Sequence, residues 1–123
     1  MLVVLSDLHF SEAQSTQIGS RRFNRNLPPE AFHAYFNEIN NFAKANDVTH
    51  IDLVLAGDIF EISRSSMWLS GNNRPYINNE DVKPGSDAEG TILKIIEAIA
   101  QENKVVETLA LFRDIHKHFD MEI

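Results

Sequence analysis

Asp7, His9 and Asp58 are the residues of this 123-residue sequence whose types and placing could do chemistry together. Asp7 and His9 follow the apolar run Leu2-Val3-Val4-Leu5, and Asp58 follows Gly57 after a second apolar run at 51–56. Two carboxylates and an imidazole are oxygen and nitrogen donors, and a carboxylate that bridges two cations suits Mn, Fe or Zn better than Ca. Each piece alone has an ordinary explanation, because Asp and Gly are common turn residues and Asp-x-His often arises by chance. Together they are far more specific: in a parallel α/β sheet, ligands collect at the carboxyl ends of the strands, where both pieces fall. The chain is expected to turn at Asp7 and His9 so that both point into that crevice. Gly57, lacking a side chain, lets the backbone turn sharply and approach an ion.

Periodicity supplies the elements that must hold these residues. The run at 2–5 is continuous and β-branched, the pattern of a strand covered on both faces. Residues 11–28 are polar, with Gly19, Arg21, Arg22, Arg25 and the Pro28-Pro29 pair, and read as a loop. Pro29 and Glu30 suit a first helical turn, and Phe32, Phe36, Ile39, Phe42 and Ala43 mark one buried face over 30–46. Strand, helix and strand then form a βαβ unit with a right-handed crossover. Residues 61–87, with Trp68, Gly71, Pro75, Pro84 and Gly85, read as a long loop. Ser86 and Glu89 have capping-box spacing. Beyond them Ile92, Ile95, Ile96, Ile99, Val106, Leu109, Phe112 and Phe119 trace a helical stripe over 88–119, with a bend or break at 101–104. Met121, Glu122 and Ile123 look like the start of a third strand.

The bulk numbers narrow the setting. An apolar fraction of 43% with 24% charged residues describes a globular domain, and no run approaches a membrane span. The absence of cysteine rules out thiolate ligands and disulfides and fits a cytoplasmic location. A net charge of −7 does not point to nucleic acid, although it leaves that partner possible. It is compatible with a phosphorylated substrate if cations supply the positive field.

The strings Leu5-Ser6-Asp7-Leu8-His9 and Asp52-Leu53-Val54-Leu55-Ala56-Gly57-Asp58-Ile59-Phe60-Glu61 resemble the first two motifs of the calcineurin-like metallophosphoesterases. The Gly-Asp-x-Phe-Glu form is also similar to the bacterial UDP-diacylglucosamine pyrophosphohydrolase branch. The resemblance implies an α/β fold, the N-terminal half of an α/β/β/α sandwich with parallel strands and crossover helices. It implies Asp7 and His9 on a first divalent ion, Asp58 bridging to a second, and Mn, Fe or Zn as the metals. It also implies hydrolysis of a phosphomonoester, phosphodiester or pyrophosphate in a small-molecule or nucleotide-type substrate.

The departures from the family are as informative. Asp7 and Asp58 lie 51 residues apart, longer than in compact members, with the excess in the loop 11–28. The third motif, Gly-Asn-His-Asp or Glu, is missing, as are a later His and the Gly-His-x-His motif. Gly71-Asn72-Asn73 lacks the His and follows no apolar strand. Residues 1–123 are therefore expected to be a single truncated domain, the first part of a longer enzyme. The general-acid His is expected beyond residue 123, leaving this part with weak metal binding and little hydrolysis. Such a half-sheet would expose an apolar face and oligomerise unless the helix at 88–119 covers it.

Other polar residues carry lesser expectations. Arg64 and Arg74 could meet a substrate phosphate, though loop arginines are usually just solvated, and Arg21, Arg22 and Arg25 share that ambiguity. Glu61 could orient a metal ligand or merely open a helical turn. His50 sits at the far end of its strand, His33, His116 and His118 fall on helices, and Trp68 reads as local packing or a pocket wall. The competing functional class is a non-catalytic α/β binding or regulatory module with vestigial metal motifs. A phosphoacceptor Asp, as in response regulators, fits Asp7-x-His9 poorly.

Overall fold

A computed structural model describes residues 1–23, 25–69, 82–117 and 119, and shows a mixed α/β chain. Strand β1 (Leu2–Ser6) is followed by a short 3-10 turn, Gln14–Thr16, and a two-residue hairpin of β2 (Gln17–Ile18) and β3 (Arg21–Arg22). Helix α1 (Pro29–Ala45) leads to β4 (Asp52–Ala56), then to a second 3-10 turn, Ser66–Leu69. Helices α2 (Asp87–Ala100) and α3 (Asn103–Arg113) follow. The expected third strand at 121–123 lies outside the described residues. No helix among the described residues is long and apolar enough to cross a membrane.

Strands β1 and β4 pair in parallel, in the register Leu2↔Asp52 through Ser6↔Ala56, with α1 as the crossover. In that register Val3 and Leu53 turn to the core, while Leu2, Val4 and Val54 turn to the opposite face and are exposed. The expectation of strands covered on both faces is therefore corrected. The described helices join Val3 in one core cluster, and nothing described packs on the other side. The polar segment 11–28 also differs from a plain loop, because Gly19 at φ 60° turns the β2–β3 hairpin.

Helix α1 starts with Pro29 at its first position, where the missing N–H would be unpaired anyway. It ends with Asp47 in the left-handed region, the Val48 N–H donating to Ala43 O (2.9 Å) and the Asp47 N–H to Lys44 O (3.4 Å). Phe32, Phe36, Ile39 and Ala43 are buried as their spacing demands, whereas Phe42 is 60% exposed. Phe32 and Phe36 meet Phe112 edge-on, at centroid distances of 5.1 and 5.9 Å.

The long helical stripe breaks where its periodicity weakens. Ser86 caps α2 by accepting from the Glu89 N–H at 3.2 Å, and Glu89 Oε2 accepts from the Gly85 N–H at 2.6 Å. Glu102 adopts an extended backbone and α3 restarts at Asn103 with a new rotational phase. The buried residues of α3 are therefore Val105, Thr108 and Leu111, not Val106, which is 48% exposed. A Val105→Ala change should cost about 2 kcal/mol, while Val106→Ala should stay within about 0.5 kcal/mol. Urea unfolding midpoints of the two variants check the phase, and equal losses would refute it.

Candidate metal centre

The site grows out of the β1–β4 register. Beyond Ser6 and Ala56 the two chains continue side by side: Asp7 N–H donates to Ala56 O (3.3 Å), His9 N–H to Asp58 O (2.9 Å) and Phe10 N–H to Ile59 O (2.9 Å). Glu61 N–H returns the bond to Phe10 O at 2.9 Å, and Phe10 and Phe60 form an isolated parallel bridge. Parallel pairing thus carries Asp7 and His9 alongside Gly57 and Asp58 at the carboxyl end of the sheet.

The backbone there is unusual. Among the described residues, three non-glycine residues have positive φ: Asp7 (55°), His9 (49°) and Asp47 (53°). Asp47 closes a helix, an ordinary use of that conformation. Asp7 and His9 close nothing, and each left-handed residue costs about 1–2 kcal/mol, more at His9 than at Asp7 because Asp tolerates this region better. Between them Leu8 is half-buried and packs against the core cluster.

Gly57 makes the close approach possible. It sits at φ 68°, and a Cβ placed on it would lie 2.6 Å from Asp7 Oδ1. The Asp58 N–H points to the same oxygen over a long 3.5 Å. Asp7 and Asp58 are both exposed, facing solvent at the end of the sheet.

His9 is held from behind. Its Nδ1 is buried and lies 3.0 Å from Glu61 Oε2, although the ring N–H is not aligned with that oxygen for a full hydrogen bond. The side chain is 33% exposed, so Nε2 is the ring nitrogen left to face outward. Glu61 is buried at 5% exposure. Its Oε1 accepts from Ser63 Oγ (3.2 Å) and the Arg64 N–H (3.3 Å), and Arg64 Nε stands 3.6 Å from Oε2. Both sequence readings of Glu61 have a contact to match: Oε2 stands behind His9, and Oε1 accepts from the Arg64 N–H of the turn that follows.

Comparison with protein-family models, curated proteins and solved structures found no match.

The residues must therefore be tested as ligands on their own geometry. The structure brings Asp7, His9 and Asp58 to one sheet end, in the order the motifs suggested. Among the described residues, no group of three His, Cys, Asp or Glu side chains converges on a point that could hold an ion. The donor types nevertheless fit a borderline divalent metal. So do the carboxylate cradle opened by Gly57 and the His9 ring backed by a buried carboxylate, as metal-ligating histidines almost always are.

The remaining polar residues fall in several places. Arg64 lies beside the site with its side chain 70% exposed, and Arg74 lies outside the described residues. Arg22 pairs instead with Glu102 across a cleft of about 420 Å³ that Asn26 and Lys104 also line. His50 pairs with Asp52 at the opposite end of β4, at 3.1 Å. Trp68 is core, its Nε1 donating to Ile62 O at 2.7 Å. His118 lies outside the described residues.

Sequence reading missed one residue next to this site: Glu12, only 1% exposed. An acidic residue in a polar stretch reads as solvated, and its only local hint is that it follows Phe10 by two positions. Far from the site, Asp114 at the end of α3 is held below the usual carboxylate range by hydrogen bonds from Arg113 and Lys117.

Proposed function

We propose that Asp7, His9 and Asp58 are ligands of a divalent-metal centre for phosphoester hydrolysis, within the first half of a metallophosphoesterase sandwich. The observation that carries this reading is the pair of left-handed backbones at Asp7 and His9, set against Gly57 and Asp58 across the ends of two parallel strands. Strain of this kind gathers at functional sites, and neither residue ends a helix among the described residues.

Electrostatics support a cation in the reading. Asp7, Asp58 and Glu61 place three carboxylates at this end against His9 and Arg64, so a bare site would repel a phosphate. When bound, divalent ions supply Lewis-acid polarisation of a phosphoryl oxygen and activation of water. The chain's own contribution is positional. Asp7 and Asp58 offer carboxylate oxygens, with Gly57 leaving room for the first. Glu61 Oε2 stands 3.0 Å from His9 Nδ1, which favours Nε2 as the ligating atom. Arg64, loosely tied to Glu61, retains exposed guanidinium donors for a phosphate. The third motif of the resembled family is missing from these 123 residues, so affinity is expected to be weak and turnover slight.

Calorimetric titration with Mn²⁺ tests the reading. Binding by the 123-residue chain that disappears in Asp58→Ala and in His9→Ala is the expected result. No detectable Mn²⁺ binding at millimolar ion, or binding unchanged in both variants, removes the metal centre. Brisk hydrolysis of bis-(p-nitrophenyl) phosphate that survives Asp58→Ala would place any activity elsewhere.

A further inference from the structure

Beyond the proposed ligands lies a buried carboxylate with no ion pair among the described residues. Glu12 Oε1 accepts from Ser65 Oγ at 2.8 Å and from Ser15 Oγ, while Oε2 has no hydrogen-bond partner among the described residues. Ser15 Oγ in turn accepts from the Ser66 N–H at 2.8 Å, and Ser65 Oγ from the Met67 N–H at 3.2 Å. The Ser65–Glu12 and Ser66–Ser15 bonds tie the segment after His9 to the segment after Glu61, while the Ser15–Glu12 and Met67–Ser65 bonds each tighten one of the two segments. Burying a carboxylate in a half-satisfied network is costly, and it is a poor way to gain stability alone. What it does gain is geometry, because the Glu12–Ser65 contact closes the far end of the backbone zipper that begins at Asp7 and Ala56. Glu61 lies between those two fixed points, and its Oε2 faces His9 Nδ1.

We propose that Glu12 is a positioning residue for His9: by pinning Ser65 it fixes the turn that carries Glu61, and so decides which imidazole nitrogen is left for a ligand. Glu12 itself touches neither His9 nor Asp58. The inference rests on the reading of His9 as a metal ligand, but its first consequence, the tautomer of His9, exists without any metal. A carboxylate at Nδ1 selects the Nδ1–H form and leaves the lone pair on Nε2.

The test uses the whole 123-residue chain. Long-range proton–nitrogen correlation spectra of the metal-free protein, at about pH 8.5 where imidazole is neutral, report the His9 tautomer, with His9→Gln assigning the signal. The wild-type protein should show the Nδ1–H form alone. Glu12→Ala and Ser65→Ala should each give a mixture of tautomers and weaken Mn²⁺ binding about tenfold. Glu12→Gln keeps an acceptor oxygen for Ser65 and Ser15 and should restore both readouts. A merely structural role would lower the melting temperature of Glu12→Ala while leaving tautomer and Mn²⁺ affinity unchanged, and that outcome overturns the proposal. If Glu12→Ala does not fold, Ser65→Ala decides by the same two readouts. If wild-type protein binds no Mn²⁺, the metal reading fails, and the tautomer comparison alone still upholds or refutes the link from Glu12 to His9.

Discussion

Gly57→Ala is expected to lower stability by about 1–2 kcal/mol and to abolish measurable Mn²⁺ binding. The stability loss follows from φ 68°, a conformation that costs an L-residue roughly 1 kcal/mol, plus whatever the new methyl group displaces. The binding loss follows from where that methyl lands, 2.6 Å from Asp7 Oδ1. The carboxylate is short but can rotate, so the fold survives by moving Asp7 out of the cradle. Thermal unfolding and calorimetric titration with Mn²⁺ read the two effects separately. A useful control is Asp7→Gly, which removes both the clash and the left-handed strain at φ 55°. It should raise the stability of the Gly57→Ala background while restoring no metal binding. If Gly57→Ala bound Mn²⁺ as well as the parent, the cradle would not be the ion's site.

Phe36→Ala is expected to cost about 3–5 kcal/mol, the range for deleting a fully buried aromatic ring. Phe36 has no exposed surface and stacks against Phe112 and Phe119, at centroid distances of 5.9 and 6.0 Å, where α1 meets α3 and the segment after it. A domain of this size is held by roughly 5–15 kcal/mol in all, so the variant should sit close to its unfolding transition at room temperature. Phe42→Ala, on the same helix but 60% exposed, should change stability by no more than about 0.5 kcal/mol. Urea titrations of the pair decide whether the face of α1 is assigned correctly, and similar midpoints would show that it is not.

Much of the element order is legible in the sequence alone. The apolar runs at 2–5 and 51–56 became β1 and β4, Pro29 opened α1, and the weak stretch at 101–104 became the break between α2 and α3. These signals are local, carried by side-chain type and spacing. Burial is not local, and there the reading failed. Whether Val4 or Phe42 is covered depends on what packs against it, and periodicity cannot count the layers above a sheet. The phase of α3 was hidden because an extended residue at Glu102 resets the rotation by an amount that sequence does not fix. The hairpin at 17–22 was within reach, since Gly19-Ser20 is a recognisable turn pair, but two-residue strands leave almost no pattern.

The site divides in the same way. Asp7, His9 and Asp58 were nameable from motif spacing, and the sheet register brings them to one end as parallel pairing requires. The left-handed backbones at Asp7 and His9 occur at residue types enriched in that conformation, but type alone does not say which Asp or His adopts it. Glu61 had two sequence readings, and the folded chain has a contact of each kind, with His9 Nδ1 and with the Arg64 N–H. Glu12 was invisible, since burial of an acid against a serine 53 positions away is a property of the folded chain alone.

The parallel pairing of β1 with β4 also governs when this end of the molecule comes into being. Asp7 and Asp58 are 51 residues apart, and neither the first segment nor the second can form the cradle by itself. The crossover through α1 must close first, a non-local step of the kind that slows folding. Any ligand that requires the assembled pair is therefore invisible to the unfolded chain and to its early collapsed forms. Its grip would be felt as slower unfolding and not as faster folding, so such a ligand could steady the chain only after the chain had assembled its own sheet end.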